Sequence, residues 1–216
     1  ITAPFLLEEL WQLAGRRLED DVTVVPMDPY YRIRFADGDH FDYSGDDEAM
    51  KREIARFNPA DVAGFERFLA ASAKLYDIGF DELMAVSFDS FGSMFGSLPD
   101  LFRAQFYRSV HGLVSRYISH PKLRQVFSFH PLLVGGNPFT ATAVYALIAQ
   151  LERRHGVHFA MGGTGSLVDG MVDLIESLGG EIRYNAPVRE ILVDGGRATG
   201  VRLRDGETVA ADVVVS

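Results

Sequence analysis

Two stretches concentrate the residues that could do chemistry. From Phe127 to Phe139 the chain reads FSFHPLLVGGNPF, which sets one titratable group, His130, among Phe127, Phe129, Leu132, Leu133 and Phe139. Apolar side chains at this density form either an ordinary core or the wall of a channel for a long apolar molecule. Gly135-Gly136 ahead of Asn137-Pro138 turns the main chain sharply, and beside a ligand it would let the backbone come close. A lone histidine such as His130 reads first as a hydrogen-bonded core residue and only second as a catalyst. The second stretch, Phe159 to Met171, reads FAMGGTGSLVDGM and places Gly162, Gly163, Thr164 and Gly165 between a strand and a helix. Backbone amides and a helix N-terminus there could face an anionic or electron-rich ligand. A plain tight turn accounts for the same residues, and their spacing departs from the G-x-G-x-x-G of a dinucleotide loop.

Other chemistries are excluded or unsupported. With no cysteine among 216 residues, disulfides, thiolate metal sites and a cysteine nucleophile are ruled out. A reducing cytoplasm is compatible with that usage. His155 and His158 have only Glu152 nearby in sequence, so no metal site is expected. No G-x-S-x-G elbow marks a hydrolase. The formal charge of −9 speaks against nucleic acid. That average hides an asymmetry. Residues 101–151 contain no Asp or Glu and carry Arg103, Arg108, Arg116, Lys122 and Arg124, a formal +5 that leaves −14 elsewhere. Interleaved with Phe102, Phe106, Tyr107 and Tyr117, these cations suit either a membrane-surface element or a core helix with a solvated basic face. No apolar run approaches the roughly 18 residues of a membrane span, and no signal peptide is visible. A chain that starts at Ile1 and stops in a strand-like run at Asp212–Ser216 is expected to be an internal piece of a longer protein.

The elements that position these stretches follow from periodicity. Pro4 with the stripe Leu6, Leu7, Leu10, Trp11 and Leu13 predicts a helix closed by Gly15. Tyr30–Phe35 and His40–Tyr43 alternate as strands around the Asp37-Gly38 turn. Asn58-Pro59 caps a helix carrying Val62, Phe65, Phe68, Leu69, Leu75 and Tyr76. Gly79–Ser97 reads as a loop or short helices, and Leu98–Ile118 as one long helix. Further helices are expected from Pro121 towards Leu133 and over Thr140–Arg154. Val157–Ala160 is a short strand, followed by a helix to Leu178. Extended runs then cover Glu181–Tyr184, Val188–Val193, Gly200–Arg204 and Thr208–Ser216.

The two stretches, together with Phe57-Asn58-Pro59 and Gly179-Gly180-Glu181-Ile182, resemble the bacterial-type phytoene (carotenoid) desaturases over nearly the whole chain. The resemblance implies an α/β fold with α+β character in this fragment. It would be part of a flavoprotein with two dinucleotide-binding domains and a helical region facing substrate and membrane. It divides the chain into residues 1–20 and 158–216, belonging to the FAD-binding domain, and residues 21–157 as the substrate-binding and helical region. It implies FAD as cofactor, touched by Gly162, Gly163, Thr164, Gly165 and Val188. Phytoene or a related carotenoid would lie against Phe127, Phe129, His130, Leu133, Gly136 and Phe139. The implied location is cytoplasmic and peripherally membrane-associated. Many relatives carry Arg-Asp where Ser90–Met94 here has Gly92-Ser93, so no catalytic residue is carried over. Two rival readings stand beside it: another amine-oxidase-like flavoprotein acting on an apolar substrate, and a non-catalytic lipid-surface binding module.

Overall fold

The computed structural model describes residues 1–78, 102, 105 and 107–216, a mixture of helices and small antiparallel sheets. In chain order the elements are α1 (Pro4–Leu13), α2 (Leu18–Asp21), β1 (Val24–Pro26), β2 (Tyr31–Arg34), β3 (His40–Tyr43), α3 (Asp47–Phe57), α4 (Val62–Tyr76), α5 (Val110–Val114), α6 (Pro121–Ser128), α7 (Leu147–His155), β4 (His158–Ala160), α8 (Thr164–Ser177), β5 (Val188–Asp194), β6 (Arg197–Leu203) and β7 (Thr208–Ala210). They fall into two compact units, Ile1–Leu167 and Val168–Ser216.

In the first unit β1 pairs with β4, with Val24 opposite Ala160. Ile1 and His158 exchange two main-chain hydrogen bonds of 2.8 Å. The hairpin β2–β3 forms as the alternation predicts, with Ile33 opposite Phe41. Its inner face, with α3, α4, α5, α6 and α7, encloses a core of Phe41, Tyr43, Ile54, Phe65, Phe68, Leu113 and Phe127. Phe127 stands at its centre, 5.1 Å from Phe65, 5.8 Å from Phe68 and 6.1 Å from Phe41 between ring centroids. The second unit holds most of α8 and a three-stranded meander, β5–β6–β7.

Five expectations are corrected. Leu98–Ile118 is not one helix: among the described residues Gln105 takes a left-handed φ of 55°, and an α-helix runs only over Val110–Val114. Ser109 starts it, accepting a bond from the Gly112 amide and bridging to Thr142. A serine cap and a strand-like bridge outweigh the helical periodicity there. The helix from Pro121 stops at Ser128 and continues as a 3-10 turn over His130–Val134, because Pro131 has no amide hydrogen and crowds the preceding turn. Thr140–Arg154 likewise opens as a 3-10 turn at Ala143–Ala146 before α7. Glu181–Tyr184 pairs with no strand, and only Thr208–Ala210 of the last run does so. Arg183 instead binds Glu181 at 3.1 Å and Glu207 at 2.8 Å. Gly79–Ser97 lies outside the described residues.

The start of α4 is fixed by Asp61. Its buried carboxylate accepts the Ser119 amide at 2.8 Å, the Ser119 hydroxyl at 2.9 Å and the His120 amide at 2.8 Å. It thereby satisfies amides at the entry to α6 that would otherwise lack partners. Burial pushes the Asp61 carboxyl up, but these hydrogen bonds outweigh it and hold the group below the usual carboxylate range. Asp39, beside Arg56 and the His40 amide, is drawn down to about 2. Both folded values lie below the unfolded one, so their stabilisation is present above about pH 4 and is lost as pH falls through the folded values. Urea unfolding followed against pH should therefore show stability dropping below about pH 4. Asp61→Asn should cost about 1–3 kcal/mol at neutral pH and flatten that drop. An unchanged acid limb in the variant would remove Asp61 from this account.

Candidate functional site

The clearest concavity in the first unit is a mostly apolar groove of about 690 Å³. Three segments build it. Strand β2 contributes Ile33, α6 and its end contribute Gln125, Ser128 and Phe129, and the chain from Leu132 to Phe139 closes it, with His111 of α5 alongside. Its last wall is rigidly made. Asn137 folds the segment on itself, its side-chain oxygen accepting the Phe139 amide at 2.9 Å and its carbonyl accepting the Ala141 amide at 2.7 Å. The His111 amide donates to the Pro138 carbonyl at 3.1 Å, and the His111 and Phe139 rings lie tilted against each other with centroids 4.5 Å apart.

The glycine pair has two separate causes. Gly135 ends the 3-10 turn in the left-handed region at φ +76°, where a Cβ is strained. Gly136 donates to the Pro131 carbonyl at 2.7 Å. A Cβ there would stand 3.1 Å from that oxygen and 3.3 Å from Pro131 Cβ. The turn requires glycine at 135, and a Cβ at 136 would crowd Pro131, whatever lies in the groove.

The structure separates the residues singled out as substrate contacts. Phe129, Gly136 and Phe139 line the groove. Phe127 and His130 are fully buried in the core, so neither side chain reaches the groove surface. Leu133 is exposed beside it, between Leu132 and Val134, and these three residues with Phe139 leave a ridge more than half exposed. Leu132, named from sequence among the possible channel-wall residues, also lines the groove, whereas Ile33, His111 and Gln125 were not singled out, because they come from separate segments. The available signal was the inward alternation of β2 and the absence of acidic residues from 101–151.

Behind Phe129 lies a closed polar cluster. His130 Nε2 is 3.1 Å from Glu152 Oε2, and the Tyr31 hydroxyl donates to Glu152 Oε1 at 2.8 Å. Both His130 and Glu152 are 0% exposed. Burial, and after it the Glu152 carboxylate, hold the Tyr31 phenol well above its usual range. Phe129 packs against the Tyr31 and His130 rings at 5.2 and 4.4 Å. The cluster supports the groove wall and does not open into it. Among the described residues no group of carboxylates and histidines could hold a metal ion.

Gly162–Gly165 forms the expected strand-to-helix turn. Gly162 and Gly163 hold φ of +88° and +85°, and the Ser166 hydroxyl ties the turn, its one proton shared between the Met161 and Gly163 carbonyls, each 2.8 Å away. A Cβ on Gly163 or Gly165 would meet nothing within 4 Å, and Phe159 and Met161 are exposed next to them. The backbone there is open to a flat or anionic group at the start of α8. Val188 opens β5 opposite Leu203 in the second unit and is half exposed. Ser90–Met94 lies outside the described residues.

Of the cations in the acid-free span, Lys122 is bound to Asp37 at 2.5 Å and Asp39 at 3.2 Å, while Arg124 donates to the Ile118 carbonyl at 2.8 Å. Arg103 lies outside the described residues.

Comparison with known proteins converges on one family. The model of the flavin containing amine oxidoreductases matches residues 4–216. A lycopene-forming phytoene desaturase of Paracoccus sp. (strain N81106 / MBIC 01143) is 48% identical over 216 residues, covering 100% of this chain and 43% of that protein. A neurosporene-forming phytoene desaturase of Cereibacter sphaeroides is 43% identical over 216 residues, 100% of this chain and 42% of its own. A 4,4'-diapolycopene oxygenase of Methylomonas sp is 33% identical over 219 residues, again with 100% of this chain and 44% of the relative. The chain thus spans less than half the length of these relatives.

Proposed function

We propose a function from one premise: the chain belongs to the flavin containing amine oxidoreductase family. The function is FAD-dependent desaturation of phytoene or a related carotenoid precursor in carotenoid biosynthesis. The observation that carries it is an apolar groove walled by Phe129, Leu132 and Phe139 within a chain 48% identical, end to end, to a phytoene desaturase.

The residues at 162–165 fit a flavin dinucleotide. Open backbone at Gly163 and Gly165 at the start of α8 suits a phosphate or a ring edge. Bound flavin would supply the two-electron acceptor for hydride from an allylic C–H, with a proton lost from the neighbouring carbon. The task of this chain is to hold the polyene and exclude water. Ile33, Phe129, Leu132 and Phe139 give it apolar walls, and the closed cluster of Tyr31, His130 and Glu152 keeps Phe129 in place. We assign residues 1–20 and 158–216 to the flavin side and 21–157 to the substrate side; the two bonds between Ile1 and His158 support grouping the first two. A hydrocarbon substrate dissolves in bilayers rather than water, so a cytoplasmic protein held at the membrane surface is part of the proposal. The exposed Leu132–Val134 ridge beside the groove supports it. With Lys122 and Arg124 occupied internally, apolar insertion carries more of that contact than charge.

A graft tests the reading directly. This chain would replace the matching 216 residues of the Paracoccus relative, and phytoene in liposomes would be followed by chromatography of the conjugated products. Turnover is expected. Leu132→Trp in the same graft should fill the groove and lower kcat/KM by about 100-fold, with the flavin absorption spectrum unchanged. A graft that binds flavin but forms no product would sink the desaturase reading, and full activity in the tryptophan variant would move the substrate elsewhere.

A further inference from the structure

The walls of the groove are not uniformly apolar. Among its described lining residues, His111, Gln125, Ser128 and Asn137 carry polar side chains. Two of these are committed within the protein. The Ser128 hydroxyl donates to the Arg124 carbonyl at 2.6 Å, and the Asn137 side-chain oxygen accepts the Phe139 amide at 2.9 Å. The side chains of His111 and Gln125 hydrogen-bond to no described residue. They belong to α5 and α6, which pack against each other, so one helix pair supplies both free polar groups.

His111 is a fixed part of that wall. Its amide bond to the Pro138 carbonyl and its ring contact with Phe139 hold the imidazole in place. The residue is half-buried, and its ring nitrogens are open to an approaching group, unlike the enclosed, unpaired Nδ1 atoms of His120 and His130. A hydrocarbon laid over this wall would displace water from the imidazole and the Gln125 amide and offer nothing in exchange, which costs free energy. A hydroxyl both donates and accepts. A neutral imidazole has one N–H donor and one acceptor nitrogen, and a carboxamide carries both roles, so a hydroxyl finds a match on either side chain. A carbonyl oxygen only accepts and would leave the two acceptors unmet. In sites with apolar walls, a few placed polar groups set the orientation of the ligand and its specificity.

We infer that the groove takes a polyene bearing a hydroxyl at one end, the oxygen received by the His111 imidazole and the Gln125 amide and the hydrocarbon part lying on Ile33, Phe129, Leu132 and Phe139. His111 and Gln125 are then specificity-determining residues, and they fix which end of the polyene enters first. The inference rests on the polyene reading of the groove and names the substrate class within it.

The whole protein carrying this chain would be titrated in mild detergent with an acyclic hydrocarbon polyene and with the same polyene bearing one terminal hydroxyl. Binding is read from the shift of the polyene's visible absorption band, without turnover. The quantity compared is the ratio of the two dissociation constants in parent and variant, which cancels the unequal partition of the polyenes into detergent. His111→Phe keeps a ring against Phe139 and removes both nitrogens, so it should shift the ratio against the alcohol by about tenfold. His111→Gln restores a donor and an acceptor and should recover most of the preference. Gln125→Leu, at an exposed position, should shift the ratio in the same direction by about threefold, and it decides the matter if the phenylalanine variant fails to fold. A ratio that both His111→Phe and Gln125→Leu leave unchanged overturns the inference while the polyene reading stands. Failure of the parent protein to bind either polyene sinks the groove reading, and the inference with it.

Discussion

Replacing Gly64 by alanine is expected to destabilise the first unit by about 3 kcal/mol or more, the reverse of what helix propensity alone gives. In an open helix the exchange would gain about 1 kcal/mol. Here a Cβ on Gly64 would stand 2.1 Å from the Tyr117 carbonyl oxygen and 3.1 Å from its carbon. Both are backbone atoms, so no side-chain rotation relieves the clash. The helix would have to retreat by roughly an ångström to restore an ordinary contact, since a densely packed interior cannot absorb the overlap otherwise. Two features resist the retreat. Asp61, one turn earlier, is bound to Ser119 and His120 by three hydrogen bonds, and Phe65 and Phe68 on the same helix are buried in the core. Moving α4 would lengthen the first set and open a void beside the second. The unfolding midpoint should fall by about 6–12 °C for a unit of this size. Gly165→Ala, where a Cβ meets nothing within 4 Å, should hold or slightly raise it. Equal midpoints for the two variants would show that the approach of α4 to Tyr117 is not tight.

The contrast between those glycines marks the limit of what could be read from the chain. Sequence patterns place α1, the β2–β3 hairpin, the Asn58-Pro59 entry, the strand before Gly162 and the helix after it, because each depends on neighbours within a few residues. They misplace Leu98–Ile118 and Glu181–Tyr184, where distant partners decide the outcome. Ser109 is drawn into a bridge with Thr142, and Arg183 into an ion pair with Glu207. The candidate site was legible to the same degree. Gly135-Gly136 and the aromatic run announce a turn beside an apolar surface, and three of the six residues expected there do line the groove. Alternation cannot tell a core aromatic from a groove aromatic two residues away, so Phe127 and Phe129 looked alike although one lies at the centre of the core and the other on the wall. His130 could be read as a hydrogen-bonded core residue, but its partner, 22 positions further on, could not be named from spacing.

That partner carries the second large effect. Glu152→Leu is expected to cost about 3–5 kcal/mol, the usual result of removing one member of a buried polar pair. The carboxylate accepts from Tyr31 and lies 3.1 Å from His130 Nε2, and Nδ1 of the same histidine already lacks a partner. Without Glu152 both imidazole nitrogens and the Tyr31 hydroxyl would be left without protein partners, and each unmet group costs about 1–3 kcal/mol when enclosed. Glu152→Gln keeps an oxygen for Tyr31 and the side-chain volume, so it should cost about 1–2 kcal/mol less. A double-mutant cycle with His130→Phe separates the pair from its surroundings. The double variant Glu152→Leu/His130→Phe should be more stable than the sum of the single losses by about 1–3 kcal/mol, as expected for coupled neighbours. The same variants report on the groove. Phe129 packs on both Tyr31 and His130, so in the graft Glu152→Leu should raise KM for the polyene more than it lowers kcat, with Glu152→Gln intermediate. Strict additivity in the cycle would mean that the carboxylate and the imidazole do not depend on one another. An unchanged KM would leave the cluster as core alone, without a part in holding the groove wall.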